Sequence, residues 1–312
     1  MFCEIDNINA EFQVKKNSET GQWLILENDK PVLQYNYQTV PIPDGYWDKV
    51  KDSTYIRTYA VPRSNYIHPL YDLDGEPITK DWSNDHPHHR GIYWAWPEVG
   101  YKNELGDLHA LQKVFARPTN KIETIIENRQ IKLVAENIWK WLDKEPIVRE
   151  QTTITVFTLD QNGRKINLEL RFESLVDEIT LARRDTRHYG GLNLRMLPLK
   201  EFNIGSFYGD KKETNLPNQE QPAWVFGSWK NPKSDGCTEL TIFEKATNPD
   251  YPGSLIQYPN LNWFQPTFPK DGTRYSLKKG KPLTLHYQLR LHNANDDDNT
   301  KKEIWKNFQN EK

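Results

Sequence analysis

Lys165-Ile166-Asn167-Leu168-Glu169-Leu170-Arg171-Phe172-Glu173 alternates apolar and polar residues without a break. Successive side chains of an extended chain point to opposite faces. Ile166, Leu168, Leu170 and Phe172 therefore share one face, and Asn167, Glu169 and Arg171 share the other. This is the pattern of a half-buried antiparallel strand. The same period runs upstream through Thr153, Thr155 and Phe157, and Asp160-Gln161-Asn162-Gly163 supplies the turn between them. Further out, residues 22–27 and 31–37 flank a polar turn at Asn28-Asp29-Lys30. Residues 121–127 and 130–136 pair around Asn128-Arg129, and residues 238–243 and 283–291 repeat the theme. Many short strands with turn punctuation imply a sandwich or barrel rather than a parallel α/β sheet. The best helical signal is the tail, residues 299–310, around Ile304, Trp305 and Phe308. No linker, repeat or low-complexity tract divides the chain, so residues 1–312 read as one domain. The long connections 39–51 and 209–222 read as loops able to wall a cleft.

The charges of the 312-residue chain nearly cancel, 41 basic against 43 acidic. That argues against a nucleic-acid partner held by bulk electrostatics. Two cysteines, Cys3 and Cys237, build neither a disulfide framework nor a CxxC metal site. No stretch approaches the ~20 apolar residues of a membrane span. The N-terminus shows no basic-then-apolar leader, so the chain reads as cytoplasmic, or periplasmic if a leader has been removed. Aromatics are abundant, with 11 Trp, 15 Tyr and 12 Phe. Most suit sheet packing, but some suit a cleft floor for the apolar faces of sugars.

Chemistry concentrates in Asn84-Asp85-His86-Pro87-His88-His89-Arg90-Gly91. On an extended chain His86 and His88 share one face, and Asp85 and His89 the other. Imidazole suits acid–base work near neutral pH and also suits zinc or copper. The spacing supplies two ligands on one face, and a third would have to come from His109 or His188. Acid–base catalysis without a cofactor is therefore the preferred reading, and a divalent metal the weaker one. Arg183-Arg184-Asp185-Thr186-Arg187-His188-Tyr189-Gly190-Gly191 is a second cluster, suited to a carboxylate. Lys80 with Arg63 is a third, and Trp94 is an aromatic candidate for sugar contact. Asp85 with Glu150 or Asp185 could serve as acid and base across a glycosidic bond. Dinucleotide, Walker A, GxSxG, HExxH and EF-hand motifs do not occur.

Arg63-Ser64-Asn65-Tyr66-Ile67-His68-Pro69-Leu70-Tyr71, the run through Thr79-Lys80-Asp81 into Asp85-His86-Pro87-His88-His89-Arg90-Gly91, and Gly106-Asp107-Leu108-His109 together resemble the signature of a bacterial family of unknown function. Asp185-Thr186-Arg187, Gly191-Leu192-Asn193-Leu194-Arg195 and Arg290-Leu291-His292 also fit, so the likeness runs from about residue 31 to 292. The Arg187-His188-Tyr189 stretch departs from the more usual basic-acidic-Gly run. Members often carry a methane-oxygenase-like label, which evokes a membrane subunit whose transmembrane helices this sequence lacks. The resemblance implies an all-β antiparallel supersandwich like that of galactose mutarotase, with a short C-terminal helix. It also implies carbohydrate chemistry without fixing a reaction.

The function expected is therefore a carbohydrate-active enzyme, a hydrolase or lyase acting on an oligosaccharide or glycoside, including uronate or keto-sugar forms. His86 or His88 would act as acid or base, Arg90 with Arg63 would neutralise developing charge, and Asp85, Asp185 or Glu150 would be the partner carboxylate. His89, His109, Arg187, His188, Lys80 and Trp94 would contact substrate. A mutarotase or epimerase and a non-catalytic sugar-binding protein are the alternatives.

Overall fold

A computed structural model describes residues 11–51, 53–209, 223–233, 236–294 and 297–311. Strand Arg164–Ser174 lies inside an eight-stranded sheet, between Leu283–Asn293 and Glu145–Phe157. Its burial alternates as its sequence does, with Ile166, Leu168, Leu170 and Phe172 inward. Burying each such side chain is worth ~1.5–3 kcal/mol over leaving it exposed. The sheet continues through Gln130–Trp141 to Val114–Glu127 on one side, and through Cys237–Glu244 and Ala223–Lys230 to Asn203–Tyr208 on the other.

A second eight-stranded sheet runs in the order Phe12–Lys16, Gln22–Glu27, Lys30–Asn36, Tyr66–Leu70, Ile92–Ala95, Gly191–Arg195, Trp263–Pro266, Leu255–Tyr258. A third sheet has four short strands: Tyr275–Lys278, Glu178–Ala182, Glu98–Tyr101 and Glu104–Gly106. Strands pair antiparallel within all three sheets. The two large sheets share one apolar core, in which Tyr35 and Trp94 of one meet Trp139, Ile154 and Leu168 of the other. The fold is an all-β antiparallel supersandwich.

The tail helix spans Asp298–Asn310, capped by Asp297, whose side chain accepts a hydrogen bond from the Thr300 amide at 2.8 Å. Its Trp305 and Phe308 pack on Trp224, Phe243 and Tyr251. The segment expected to be an unbroken loop from residue 39 contains the short helix Tyr46–Lys49, and Thr54–Tyr59 follows it. Four and six residues are too short to display a helical period, so pattern reading passes over them. Nearly all of the other expected wall, residues 209–222, falls outside the described residues. No helix among the described residues is long and apolar enough to cross a membrane.

Candidate functional site

Residues 83–91 form a turn rather than a strand. The Ser83 hydroxyl donates to the His86 carbonyl at 2.8 Å, and the His89 amide returns to that carbonyl at 3.0 Å. Gly91 then takes φ +47°, and a Cβ there would stand 2.2 Å from the Ile67 carbonyl oxygen, so only glycine passes into strand Ile92–Ala95. This corrects the extended alternation of the histidines. Instead of separating, His86 and His89 stack with centroids 4.9 Å apart, and His88 meets His89 edge-on at 4.4 Å.

His109 joins them from the turn after Glu104–Gly106, its ring 5.4 Å from His88 and 5.3 Å from His89. Potential ligand nitrogens of His88, His89 and His109 all lie within 4.8 Å of one another, and all three residues are buried. His86 and His88 were the pair expected to converge; the structure gathers His88, His89 and His109, with His86 at the rim. Burial, then the positive charge of neighbouring groups, holds all three gathered imidazoles well below the ordinary histidine pKa, so they are neutral at pH 7. Tyr93 Oη lies 2.8 Å from His109 Nε2, under the Arg63 guanidinium, 4.7 Å from the ring centre.

His86, His88 and His89 floor a cleft of about 330 Å³, and His109 lies buried against the last two. Tyr55 and Tyr59 wall it from helix Thr54–Tyr59, one turn apart with rings 4.7 Å from each other. Tyr258, Leu261 and Trp263 wall another side, and Arg184 with Tyr189 reaches in from the Arg-rich loop. Arg184 donates through Nη2 to Asp107 at 2.6 Å and through Nε to the Tyr189 hydroxyl at 3.4 Å; neither contact uses Nη1. Burial pushes the Tyr189 phenol up, against the lowering pull of Arg184, so it is protonated at neutral pH. Among the described residues, no carboxylate lines this cleft.

Asp85 stands beside it, 3.4 Å from His86 Nδ1, and takes 2.9 and 3.0 Å hydrogen bonds from Arg195 Nη2. Burial pushes the Asp85 carboxyl up, but the contacts with His86, Arg195 and Ser83 outweigh it and hold it far below the usual carboxylate range. Arg195 thus holds the Asp85 carboxylate within ion-pair distance of the His86 ring.

Several expected site residues lie elsewhere. Arg90 is fully buried, bound to Asp81 at 3.0 Å and the Val61 carbonyl at 3.0 Å, with its guanidinium on the Trp82 ring. Arg63 is buried as well, donating to the Leu108 and His109 carbonyls, and burial lowers its pKa to about 10. These two arginines frame the loops that carry the histidines and do not line the cleft. Nor does Lys80, whose amide donates to the Arg195 carbonyl.

Glu150 is buried in the core, where Asn65, Trp94, Trp139 and Thr152 all donate to its carboxylate. Trp94 is thereby a core residue rather than a sugar platform. Asp185, Arg187 and His188 are exposed on the turn around Arg184–Thr186, outside the cleft lining. Arg183 folds back onto the His188 carbonyl at 2.7 Å and shapes that turn. The cleft residues missed in the sequence are Arg184 as distinct from its neighbours, Tyr189, Tyr55, Tyr59, Tyr258 and Trp263. Only the tyrosine pair, four residues apart, left a local signal.

A larger depression, about 480 Å³, lies along strands Val114–Glu127 to Arg164–Ser174. Surface ion pairs such as Arg149–Glu173 and Lys121–Glu136 line it, and it holds none of the histidines.

The sequence matches the family of unknown function DUF6807 over residues 22–306. The chain belongs to this family. No curated protein matches it. Among solved structures, a heparan sulfate lyase HepC mutant from Pedobacter heparinus is similar at TM-score 0.39 and 8% identity. That alignment covers 93% of this chain and 36% of the lyase, so the DUF6807 chain spans little more than a third of that protein's length. A GalM/aldose epimerase homologue from C. elegans is similar at TM-score 0.35 and 10% identity, over 92% of this chain and all of that one.

Proposed function

We propose that this DUF6807 protein is a carbohydrate-active enzyme that cleaves a uronate-type glycoside by β-elimination. The observation that carries the reading is the composition of the cleft: imidazoles, tyrosines and one arginine on an aromatic wall, with no carboxylate in the lining among the described residues. Hydrolysis of the usual two-carboxylate kind needs a pair of Asp or Glu flanking the bond. Elimination needs a base, an acid and a cation for a carboxylate.

His86 is the base. It lines the cleft, and Asp85 stands 3.4 Å from its Nδ1, placed to stabilise the imidazolium that forms. It takes the proton from the carbon next to the sugar carboxylate, and the C–H electron pair delocalises onto the carboxylate as an enolate, with the extra charge on its oxygens. Arg184 meets that charge through a planar guanidinium suited to bidentate carboxylate binding. The pair then forms a C=C bond as the glycosidic C–O bond breaks, and the Tyr189 hydroxyl gives its proton to the departing oxygen. Trp263 and the tyrosines supply flat faces for the sugar rings.

The test is a panel of uronate-containing and neutral oligosaccharides with mass analysis and ultraviolet absorbance. The expected products are an unsaturated sugar and a new free end whose masses sum to that of the substrate. Products heavier by one water would replace elimination with hydrolysis. A change of optical rotation at constant mass would make the protein a mutarotase, and binding without turnover a sugar-binding module.

A further inference from the structure

We infer that His88, His89 and His109 form a three-histidine site for one divalent transition-metal ion, zinc by the chemistry of its donors, at the floor of the cleft. Their nitrogens lie within 4.8 Å of one another. Three nitrogens on a tetrahedral zinc sit ~3.3 Å apart, given Zn–N bonds of about 2.0–2.1 Å. Ring shifts on the order of 1 Å, well within imidazole side-chain freedom, therefore close the triangle.

Two further observations separate this cluster from packed core histidines. His88 and His89 are each 6% exposed, yet Nδ1 of each is buried without a hydrogen-bond partner. Leaving a buried polar atom unpaired is costly, and here the cost falls on adjacent residues. His109 is oriented by its neighbours: the Tyr93 hydroxyl lies 2.8 Å from Nε2, and the Asn193 side chain also contacts the ring. A metal-bound histidine ordinarily has its second nitrogen fixed in this way.

Nearby arginines do not forbid a cation. Arg90, Arg184 and Arg195 each pair with a carboxylate, Asp81, Asp107 and Asp85 respectively, while Arg63 is held by the Leu108 and His109 carbonyls and the Tyr93 ring. The donor set is three neutral nitrogens with no carboxylate, so the ion keeps its full charge. His88 and His89 line the cleft, so an ion held here would be within reach of water or a substrate oxygen entering it. The ion's role in turnover rests on the eliminase reading above; its binding does not.

The experiment strips the full chain with a chelator, desalts it and titrates it with zinc chloride, reading stoichiometry and affinity by calorimetry. One ion per chain is expected. His89→Ala and His109→Ala should each weaken binding at least 100-fold, and Tyr93→Phe about 10-fold, the lower end for a lost outer partner. His286→Ala, on a strand of the other sheet, should bind as the parent does. Equal binding by the parent and His89→Ala would overturn the site.

Cobalt added to the parent chain keeps the test sharp if a variant fails to fold. The intense visible bands of four- or five-coordinate cobalt are expected, and only the faint spectrum of the hydrated ion would overturn the site. One zinc per chain with no turnover on any glycan would keep the site and remove the eliminase reading. Undiminished turnover in chelated protein that takes up no zinc would do the reverse.

Discussion

Glu150 offers the sharpest test of the division between core and site. Its carboxylate receives Asn65 Nδ2 at 2.7 Å, Trp94 Nε1 at 2.5 Å and the Thr152 hydroxyl at 2.9 Å on one oxygen, and Trp139 Nε1 at 2.5 Å on the other. Trp94 belongs to one large sheet and Trp139 to the other, so this side chain fastens the sandwich across its core. Glu150→Gln keeps the shape. The amide oxygen can serve the three donors on one side, and the amide nitrogen then faces the Trp139 N–H. One bond to a charged acceptor, ~1.5–3 kcal/mol, is lost and a buried donor is orphaned. Removing the buried charge offsets part of this, because burial already pushes the Glu150 carboxyl above its ordinary pKa. The expected net loss is about 1–3 kcal/mol. Glu150→Ala strands all four donors around a cavity and should cost at least about 4 kcal/mol. Urea denaturation at pH 7, followed by tryptophan fluorescence, reads both. Alanine within about 0.5 kcal/mol of the parent would refute the argument. A glutamine variant of parental stability but without turnover would make Glu150 catalytic after all.

His86→Ala should lower turnover by about 100-fold or more, and Asp85→Asn should lower it in the same direction, with the Michaelis constant nearly unchanged; initial rates of ultraviolet absorbance on a uronate oligosaccharide measure this. Arg184→Lys should raise the Michaelis constant for uronate substrates while leaving binding of a neutral analogue within about twofold, because a point charge replaces a planar fork; equal losses on both would remove the carboxylate-recognition role. Glu244 supplies a pH prediction. Burial pushes its carboxyl from 4.5 up to about 8, partly opposed by the Gly253 amide. The folded state thus holds a proton that the unfolded chain releases near pH 4.5, so stability falls as pH rises from about 4.5 through about 8. The span corresponds to roughly 4–5 kcal/mol at 1.36 kcal/mol per pH unit, and Glu244→Gln should flatten that slope in urea midpoints measured from pH 5 to 9.

The strands were legible because a pleated chain displays its environment with period two. Ile166 to Phe172, and the turn signals around Asn28 and Asn162, suffice to write an antiparallel all-β architecture. The tail helix was equally readable from Ile304, Trp305 and Phe308. The histidine-rich stretch was legible as an unusual concentration of imidazole, but not as a geometry. The serine-closed turn at residues 83–89 brings His86 over His89, where alternation would have parted them. Glu150 and Asp85 look alike as letters. Four donors, from Asn65, Trp94, Trp139 and Thr152 across both sheets, make the first a fastener within the core, and Arg195, 110 positions away, places the second beside His86. Composition and local period are properties of neighbours along the chain, and they determined the fold class and the candidate segment. Which imidazoles meet, which arginine faces the cleft and which carboxylates stay buried depend on contacts between distant strands and loops, and only the tertiary structure decided those.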